Sequence, residues 1–551
     1  MENHSAPIAS HFRGSAVRFW PWLLVLLVLL FVGFIRVRLL DMPLERDEGE
    51  YAYAGQLILQ GIPPYELAYN MKLPGTYYAY ALGMAVFGQT VAGVHLTLLA
   101  ANSLTIVFVF LLGRKLFGLT AGWVACASYG VMSASPTVAG LAAHATHFVV
   151  LFAVPATGLL WQAAESKRRR TFFFSGLLYG LAFLMKQQGI CFGLFGSLFL
   201  LWLAVRNKSI FTRDFARTGL VFGLGMILPF GLTCFYLALA GVFYKFWFWT
   251  FTYAWSYVTS VPLGAGIQSL ESCLRYNLDQ LLGVWIILIL GLPPAFFNRG
   301  IRRQICFAIF FGTFSFLGTA AGLYFRPHYF ILILPALVLA MGAGIASLQK
   351  VLRFGVIEDI FKSLPLILFG MAMSWFVFYQ EQYFFQWPPD KIAQNLYMWN
   401  PVVESRAVAQ YLREHSEKNA RIAVFGSEPE IYFYAQRHSA TGYIYTYALM
   451  EAQPDALRMQ HEMMREIESN KPEYLVYVSH EFSWIFNPNS DRTIFRWFER
   501  YAGQFYEQAG VVDDGPDGKS EYLWGDAARN HHSFKGQYII VYKLKPSGTP
   551  S

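Results

Sequence analysis

The sequence predicts a polytopic α-helical membrane protein of about eleven spans with a C-terminal soluble α/β domain. Its 551 residues are 55% hydrophobic, 18% aromatic and only 14% charged, which is too apolar for a soluble protein of this length. Long apolar runs recur as far as residue 380, whereas charged residues become frequent after about Trp387. We therefore expect a membrane domain at 1–385 and an external domain at 386–551.

The membrane prediction depends on apolar runs that are about long enough to cross a hydrocarbon core of about 30 Å. The first run is predicted to be an uncleaved span, because no small-residue cleavage site follows it. Two short runs flank "MKQQG" (Met185 to Gly189) and are predicted to be half-helices that reach a pocket at membrane level. The runs cover residues 19–38, 91–113, 119–137, 143–161, 172–185, 189–205, 218–240, 279–297, 305–324, 328–347 and 363–380.

Basic clusters in alternate loops predict the orientation, because cytoplasmic loops hold the excess of Lys and Arg. We expect a cytoplasmic N-terminus and a C-terminal domain on the outer side, although Arg36 and Arg38 at the outer end of the first span oppose this rule. The compact external domain favours a bacterial inner membrane, with a periplasmic or extracellular C-terminal domain. The basic clusters lie at 114–115, 166–170, 206–217, 298–304 and 349–354.

The C-terminal part alternates between strand and helix patterns. Alternating apolar residues predict strands at 420–426, 473–479 and 536–544. Helical periodicity predicts helices at 405–416 and 455–470. Together these patterns predict a compact α/β domain.

Charge and cysteine content exclude several functions. The net charge of +8 resides largely in short loop clusters, which are typical topology signals, so we expect no nucleic-acid binding. The five cysteines are scattered and form no CxxC pair. A disulfide framework or a zinc site is therefore not expected.

The stretch "LERDEGEYAYAG" (Leu44 to Gly55) places five ionisable side chains directly after the first span. One explanation is structural: Asp47 as an N-cap and Glu50 as its capping-box partner, both favoured by the helix dipole. Capping does not explain Glu48, nor the position of the group at the outer membrane face. Capping and catalysis therefore both remain possible for this stretch.

Three isolated cations belong to the same outer side. Lys72 and Arg326 could be interfacial anchors. Lys186 lies between two apolar runs without a basic neighbour, and an ionisable group at that depth indicates function. If the three converged on one anionic group, with Asp47 and Glu48 nearby, they would form a lipid-phosphate site beside a base.

At these segments the chain resembles the polytopic GT-C glycosyltransferases, specifically the protein O-mannosyltransferase superfamily of family 39 and its bacterial relatives, which include the lipid A aminoarabinose transferases. One departure is Lys-Leu-Pro-Gly where the family has Lys-Pro-Pro, which leaves the reach of Lys72 open. The resembling segments are "RDEGEYAYAG", "YNMKLPGTYYAYALGMAVFG", "GLAFLMKQQGICF", "RPHYFILILPAL" and, in the external domain, "VFGSEPEIYFYAQRHSATGY".

The resemblance implies a GT-C-like fold and an inverting transfer of a sugar from a polyprenyl-phosphate carrier to an acceptor hydroxyl on the outer face. It implies Asp47 as the base, with Glu48 orienting the acceptor or assisting. A phosphate leaves as a stabilised anion and needs no general acid, so one base and fixed cations suffice. The residues expected to hold the donor phosphate are Lys72, Lys186 and Arg326. Further substrate contacts are expected from Tyr51, Tyr77, His328 and Tyr329.

The expected partners are a polyprenyl-phosphate-linked sugar donor, a lipid, protein or glycan acceptor, and membrane lipids. No cofactor is expected. His144 and His147 could share one helix face, but no third ligand is evident in the sequence, so we expect a polar pair and no metal. The rival hypothesis is a secondary transporter or flippase of lipid-linked or anionic substrates, because such proteins also carry broken helices and intramembrane charge.

Overall fold

A computed structural model of the chain describes residues 9–352, 358–397, 400–515 and 519–546. The last of the predicted basic clusters, 349–354, therefore ends outside the described residues. The orientation of the chain in a membrane stays a prediction.

The first two thirds of the chain are helical. Short 3₁₀ turns cover Pro136–Val138, Gln187–Gly189, Arg299–Ile301 and Pro327–Leu332, and π-helical segments cover Phe248–Tyr253 and Gln382–Gln386. The helices are α1 (Ala9–Arg38), α2 (Arg46–Leu59), α3 (Gly75–Phe87), α4 (Val91–Phe117), α5 (Leu119–Met132), α6 (Ala145–Ser166), α7 (Arg169–Met185), α8 (Ile190–Arg206), α9 (Arg213–Leu239), α10 (Phe243–Trp247), α11 (Ala254–Val258), α12 (Leu263–Tyr276), α13 (Leu282–Phe297), α14 (Arg302–Ala320), α15 (Leu334–Val351) and α16 (Glu358–Tyr379).

The polytopic helical prediction is confirmed. Each of the eleven predicted runs falls on one helix, namely α1, α4 to α9 or α13 to α16. Within the described residues, eight helices are long and apolar enough to cross a membrane, and α5 and α13 are shorter apolar helices. The two short runs form a hairpin of α7 and α8, which turns at Lys186, where the backbone is extended (φ −161°, ψ 144°).

The two arginines that opposed the orientation rule are bound to backbone carbonyls. Buried Arg36 donates to the carbonyls of Ser133 and Gly140 at 3.2 and 3.0 Å. Arg38 donates to the carbonyl of Phe384 at 2.9 Å. Charge-assisted bonds of this kind are among the stronger protein hydrogen bonds. Both guanidinium groups therefore fix local structure, which accounts for two cations at the C-terminal end of α1.

The C-terminal part is the predicted α/β domain. Its sheet has the strand order β2-β1-β3-β6-β4-β5; β1 is parallel to β2 and β3, and the remaining pairs are antiparallel. The elements are α17 (Pro389–Leu396), α18 (Val402–His415), β1 (Arg421–Phe425), α19 (Glu430–Ala435), β2 (His438–Ser439), α20 (Tyr447–Met450), α21 (Ala456–Asn470), β3 (Tyr474–Ser479), α22 (Glu481–Trp484), α23 (Thr493–Phe505), β4 (Tyr506–Asp514), β5 (Ser520–Trp524), α24 (Asp526–Arg529) and β6 (Tyr538–Leu544).

The three predicted strands are confirmed as β1, β3 and β6. The strands that the sequence did not reveal lie at or next to the sheet edges: β2 has two residues, and β4 begins directly where α23 ends. The predicted helices are confirmed as α18 and α21. The domain boundary at 385/386 stays a prediction.

The external domain packs directly on α2. Gly49 lies against α19 so closely that a Cβ at this position would be 2.5 Å from the Cβ of Glu430. At the start of α2, Nη2 of Arg46 lies 2.7 Å from Oε1 of Glu428. The helix that carries "DEGE" is therefore fixed between the membrane helices and the external domain.

Candidate active site

The helix α2 begins with a capping box two residues earlier than predicted. Glu45 is the N-cap and accepts from the backbone N–H of Glu48 at 3.1 Å, and Glu48 accepts from the N–H of Glu45 at 3.3 Å. The prediction of Asp47 as N-cap and Glu50 as its partner is wrong, because the Glu45 and Glu48 pair has the same three-residue spacing and caps instead. Asp47 thus has no capping role.

Asp47 carries a carboxylate with one partner on each oxygen. Nζ of Lys72 donates to Oδ2 at 3.3 Å, and the hydroxyl of Tyr445 donates to Oδ1 at 3.1 Å. The side chain is 13% exposed. Burial alone would raise the pKa of Asp47, but the surrounding positive charge, from Lys72 first, outweighs burial and holds that pKa below its usual range. Asp47 is therefore ionised at neutral pH.

The other two predicted cations lie near the same carboxylate. Nζ of Lys186 lies over the ring of Tyr329, 4.4 Å from its centre. Nη2 of Arg326 donates to the hydroxyl of Tyr257 at 3.0 Å. In their charged forms both groups lower the pKa of Asp47, although burial and then the charge of Lys72 lower the pKa of Lys186 itself well below its usual range. The structure therefore brings together the predicted acid and all three predicted cations.

Two hydrogen bonds connect the loop that carries Lys72 to the turn that carries Lys186. The Thr76 hydroxyl donates to the carbonyl of Met185 at 2.7 Å. The amide of Gln187 donates to the carbonyl of Met71 at 2.6 Å. These bonds fix the backbone next to Lys72 and on both sides of Lys186. Both lysines are therefore held in place, despite the departure at Lys-Leu-Pro-Gly.

Glu48 lies behind the site. Its carboxylate is fully buried and accepts from the backbone N–H of Ala143 at 2.6 Å, and Nε2 of His95 lies 3.4 Å from it. Together with its capping role, these contacts leave Glu48 facing protein groups. The geometry gives no support to the predicted contact between Glu48 and an acceptor.

Glu50 is a second buried carboxyl that sequence reasoning explained only as a cap. The Asn70 amide donates to it at 2.6 Å, and the Tyr77 hydroxyl donates to its other oxygen. Burial raises the pKa of Glu50 to about 8, although Lys72 and both hydrogen bonds favour the charged form. Glu50 therefore anchors the loop of Lys72 and is largely protonated at neutral pH.

The four predicted contact residues divide into two groups. Tyr51 and Tyr77 are buried and pack on each other with ring centres 6.0 Å apart, so they support the site from behind. His328 and Tyr329 lie on the 3₁₀ turn after Arg326, beside the charged cluster. The positions of the second pair fit the prediction of contact with a ligand better than those of the first.

Asp47, His144 and His328 form a cluster whose ligand atoms lie within 4.8 Å of one another. Sequence reasoning paired His144 with His147, whereas the other two members of this cluster, Asp47 and His328, come from distant segments of the chain. The rings of His144 and His328 are stacked 4.2 Å apart at 15°. Lone pairs of parallel rings do not converge on an ion about 2 Å away, so these residues could hold a metal only after one ring turned.

Tyr445 and Tyr257 are contact residues that sequence reasoning missed. Tyr257 ends the aromatic run 243–257, whose composition also fits an interfacial girdle. Tyr445 lies in the external domain, almost four hundred residues from Asp47, and no local pattern marks it. In the same aromatic run, the Tyr253 hydroxyl donates to Glu451 of the external domain at 2.6 Å. This run therefore connects the two parts of the chain.

Comparison with known protein sequences places residues 72–233 in a match to the family described as dolichyl-phosphate-mannose-protein mannosyltransferase. The undecaprenyl phosphate-alpha-4-amino-4-deoxy-L-arabinose arabinosyl transferases of Pseudomonas aeruginosa LESB58 and of Pseudomonas paraeruginosa are each 32% identical to this chain over 145 residues. These alignments span 25% of this chain and 26% of each relative.

Similar solved structures cover nearly the whole chain. ArnT from Cupriavidus metallidurans bound to undecaprenyl phosphate has a TM-score of 0.59 and 14% identity, over 95% of this chain and 98% of ArnT. The apo oligosaccharyltransferase of Archaeoglobus fulgidus has a TM-score of 0.50 and 11% identity, over 92% of this chain and 75% of its own. These structural matches confirm the predicted fold class, and the sequence matches support the predicted resemblance to polytopic GT-C glycosyltransferases.

Proposed function

We propose that the chain is an inverting glycosyltransferase that moves a sugar from a polyprenyl-phosphate carrier to an acceptor hydroxyl at the outer face of a membrane. The observation that carries this proposal is the carboxylate of Asp47, which has Lys72 at 3.3 Å and lies in the field of Lys186 and Arg326. An ionised base among several fixed cations fits a reaction in which a phosphate leaves.

In the proposed reaction, Asp47 takes the proton of the acceptor hydroxyl as its oxygen bonds to the anomeric carbon of the sugar. The bond from that carbon to the phosphate oxygen breaks at the same time, and its electron pair leaves with the polyprenyl phosphate. Because its pKa is held low, Asp47 is a weak base. The acceptor proton therefore transfers late, when the new bond has made the hydroxyl acidic.

Lys72, Lys186 and Arg326 act in this proposal on the donor phosphate. A charge that develops on a leaving group is stabilised most by cations that are already in place. The three cations come from separate elements, a loop, a helical hairpin and the start of a 3₁₀ turn, and two hydrogen bonds from side chains to the backbone tie the loop to the hairpin. The bound phosphate would also offset their mutual repulsion.

Glu48 and Glu50 have supporting roles in this proposal. Glu48 holds the start of α2 and the segment of Ala143, so it positions Asp47 without contacting the acceptor. Glu50 holds the loop of Lys72 through Asn70. Tyr51 and Tyr77 pack beneath these groups, and the remaining contacts to the ligand come from His328 and Tyr329.

The acceptor and location follow by inference from the relatives. The matched relatives act on an arabinose derivative linked to undecaprenyl phosphate, and ArnT was seen with undecaprenyl phosphate bound. We infer a lipid-linked donor, a lipid acceptor, and a multi-pass protein of a bacterial inner membrane with the external domain in the periplasm. The named relatives and the archaeal structure are transferases, so they do not support the transporter hypothesis.

The test uses the full chain in proteoliposomes that contain bacterial envelope lipids. Undecaprenyl phosphate carrying 4-amino-4-deoxy-L-arabinose is supplied first, and undecaprenyl phosphate carrying mannose second. We expect free undecaprenyl phosphate to be released from one donor and the sugar to appear in the lipid fraction, both measured by mass spectrometry. Release by wild type and not by Asp47→Asn supports the proposal. Equal release by both proteins, or none from either donor, overturns it.

A further inference from the structure

The hydroxyl of Tyr445 reaches Asp47 across the junction between the external domain and α2. It donates to Oδ1 at 3.1 Å, while Lys72 donates to Oδ2 at 3.3 Å. The two oxygens of one carboxylate thus have partners from two distant parts of the chain. A carboxylate held at both ends rotates little, so the directions of its remaining lone pairs are fixed.

The segment that carries Tyr445 is held firmly within the external domain. On one side, the Tyr443 hydroxyl donates to Glu462 at 2.9 Å, and on the other side the Tyr447 hydroxyl donates to the carbonyl of Phe482 at 2.7 Å. Tyr443 is buried, whereas Tyr445 is partly exposed. Tyr445 therefore points out of a rigid segment towards the junction.

The junction itself is closely packed at the start of α2. Arg46, next to Asp47 in the chain, forms a buried ion pair with Glu428. One turn of helix later, Gly49 leaves no room for a side chain against Glu430. The position of Tyr445 relative to Asp47 is therefore set by a docked interface, and small shifts of the external domain would change this hydrogen bond.

We propose that Tyr445 is a positioning residue for Asp47, so that the external domain completes the catalytic site. This inference rests on the proposed function, in which Asp47 is the base. Tyr445 thus holds the Asp47 carboxylate in one orientation and directs its free lone pair towards the acceptor hydroxyl.

The test is Tyr445→Phe in the full chain, which removes one hydroxyl and keeps the ring. Activity is measured with the donor that supports turnover of the wild type. We expect kcat to fall about tenfold, as for one lost hydrogen bond to a charged group, with the donor KM nearly unchanged. Tyr443→Phe is the matched control, because its hydroxyl bonds within the external domain.

Thermal unfolding in detergent checks that both variants are folded. Wild-type kcat in Tyr445→Phe would overturn the inference. An equal fall in Tyr443→Phe would also overturn it, because the effect would then lie in the fold of the domain. A second measurement adds Tyr445→Phe to Asp47→Asn: positioning predicts no further loss, whereas an independent role predicts that the losses multiply. High activity of Asp47→Asn alone would instead refute the proposed function.

Discussion

Arg46 and Glu428 form a buried ion pair of 2.7 Å between Nη2 and Oε1, with 6% and 1% of their side chains exposed. Arg46 is the first residue of α2, and Glu428 lies between β1 and α19 in the external domain. The Ser483 hydroxyl donates to the other oxygen of Glu428 at 2.8 Å. The external domain is therefore fixed by charge to the residue that precedes the proposed base.

Glu428→Gln keeps the shape of this contact and removes one charge. It leaves a buried guanidinium without its counter-ion, which typically costs about 3–5 kcal/mol when a buried pair is broken. We expect a clear fall in the unfolding temperature in detergent, together with lower transfer activity. Asp526→Asn is the control. The side chains of Asp526 and Arg529 form an ion pair but are 89% and 50% exposed, so this pair should contribute less than about 1 kcal/mol. Equal effects of the two changes would contradict the proposed role of the pair.

Lys186→Ala and Arg326→Ala test the proposed phosphate site. Each removes a cation that would stabilise the departing phosphate, so kcat/KM should fall at least about tenfold while the protein stays folded. Donor titrations of initial rates, alongside thermal unfolding, separate the two effects. Arg275→Ala is the matched control, since Arg275 is also a single cation in a predicted outer loop but is 78% exposed and pairs with Glu271. Wild-type turnover in both site variants would show that these cations do not act on the donor.

The helical architecture could be predicted because it depends on the bilayer. A run of apolar residues must be helical in lipid to satisfy its backbone, so composition alone located eleven of the sixteen helices α1 to α16. The edge strands β2 and β5 of the external sheet could not be found in this way. They depend on pairing with β1 and β4, and β2 has two residues.

Sequence reasoning identified candidate site residues whose charge is unusual in an apolar segment. It missed residues that reach the site only through long-range contacts. Lys186 was conspicuous between apolar runs, and the structure places it close enough to Asp47 to influence the pKa of that carboxyl. The capping role of Glu48 was missed, because two capping boxes with equal spacing compete in "LERDEGE" and sequence alone does not rank them. Tyr445 carries no local signal, since its role arises from the docking of two regions of the chain.

Glu50→Gln should change how stability depends on pH. The pKa of Glu50 is about 4.3 in an unfolded chain and about 8 in the folded protein. Between these values the folded state holds a proton that the unfolded state lacks, so the unfolding free energy falls with rising pH by up to about 1.4 kcal/mol per unit. We expect the wild-type unfolding temperature to fall more from pH 5 to pH 8 than that of the variant. Parallel curves would show that Glu50 titrates normally.

Reporter fusions test the predicted orientation. Fusions after Arg170, Arg303 and Arg353 should report the cytoplasm, because the loops with most Lys and Arg remain there. Fusions after Asn70 and Asp390 should report the outer side. A cytoplasmic signal after Asp390 would place the external domain on the wrong face for the proposed reaction. Arg36→Gln should leave this pattern unchanged, since that arginine is bound to carbonyls.

Asp47→Asn separates catalysis from structure most directly. Because Glu45 caps α2, an amide at position 47 leaves the helix start intact, and it can still accept from Tyr445. An amide cannot take the acceptor proton, so transfer should fall by about two orders of magnitude or more, while folding and undecaprenyl phosphate binding persist. Asp41→Asn is the matched control, an exposed carboxylate six residues earlier in the chain. If Asp47→Asn kept more than about a third of wild-type transfer, well short of a general-base effect, Asp47 would not be the base. Because Glu48 is fully buried and already accepts from the backbone of Ala143, the base would then have to be sought outside "RDEGE".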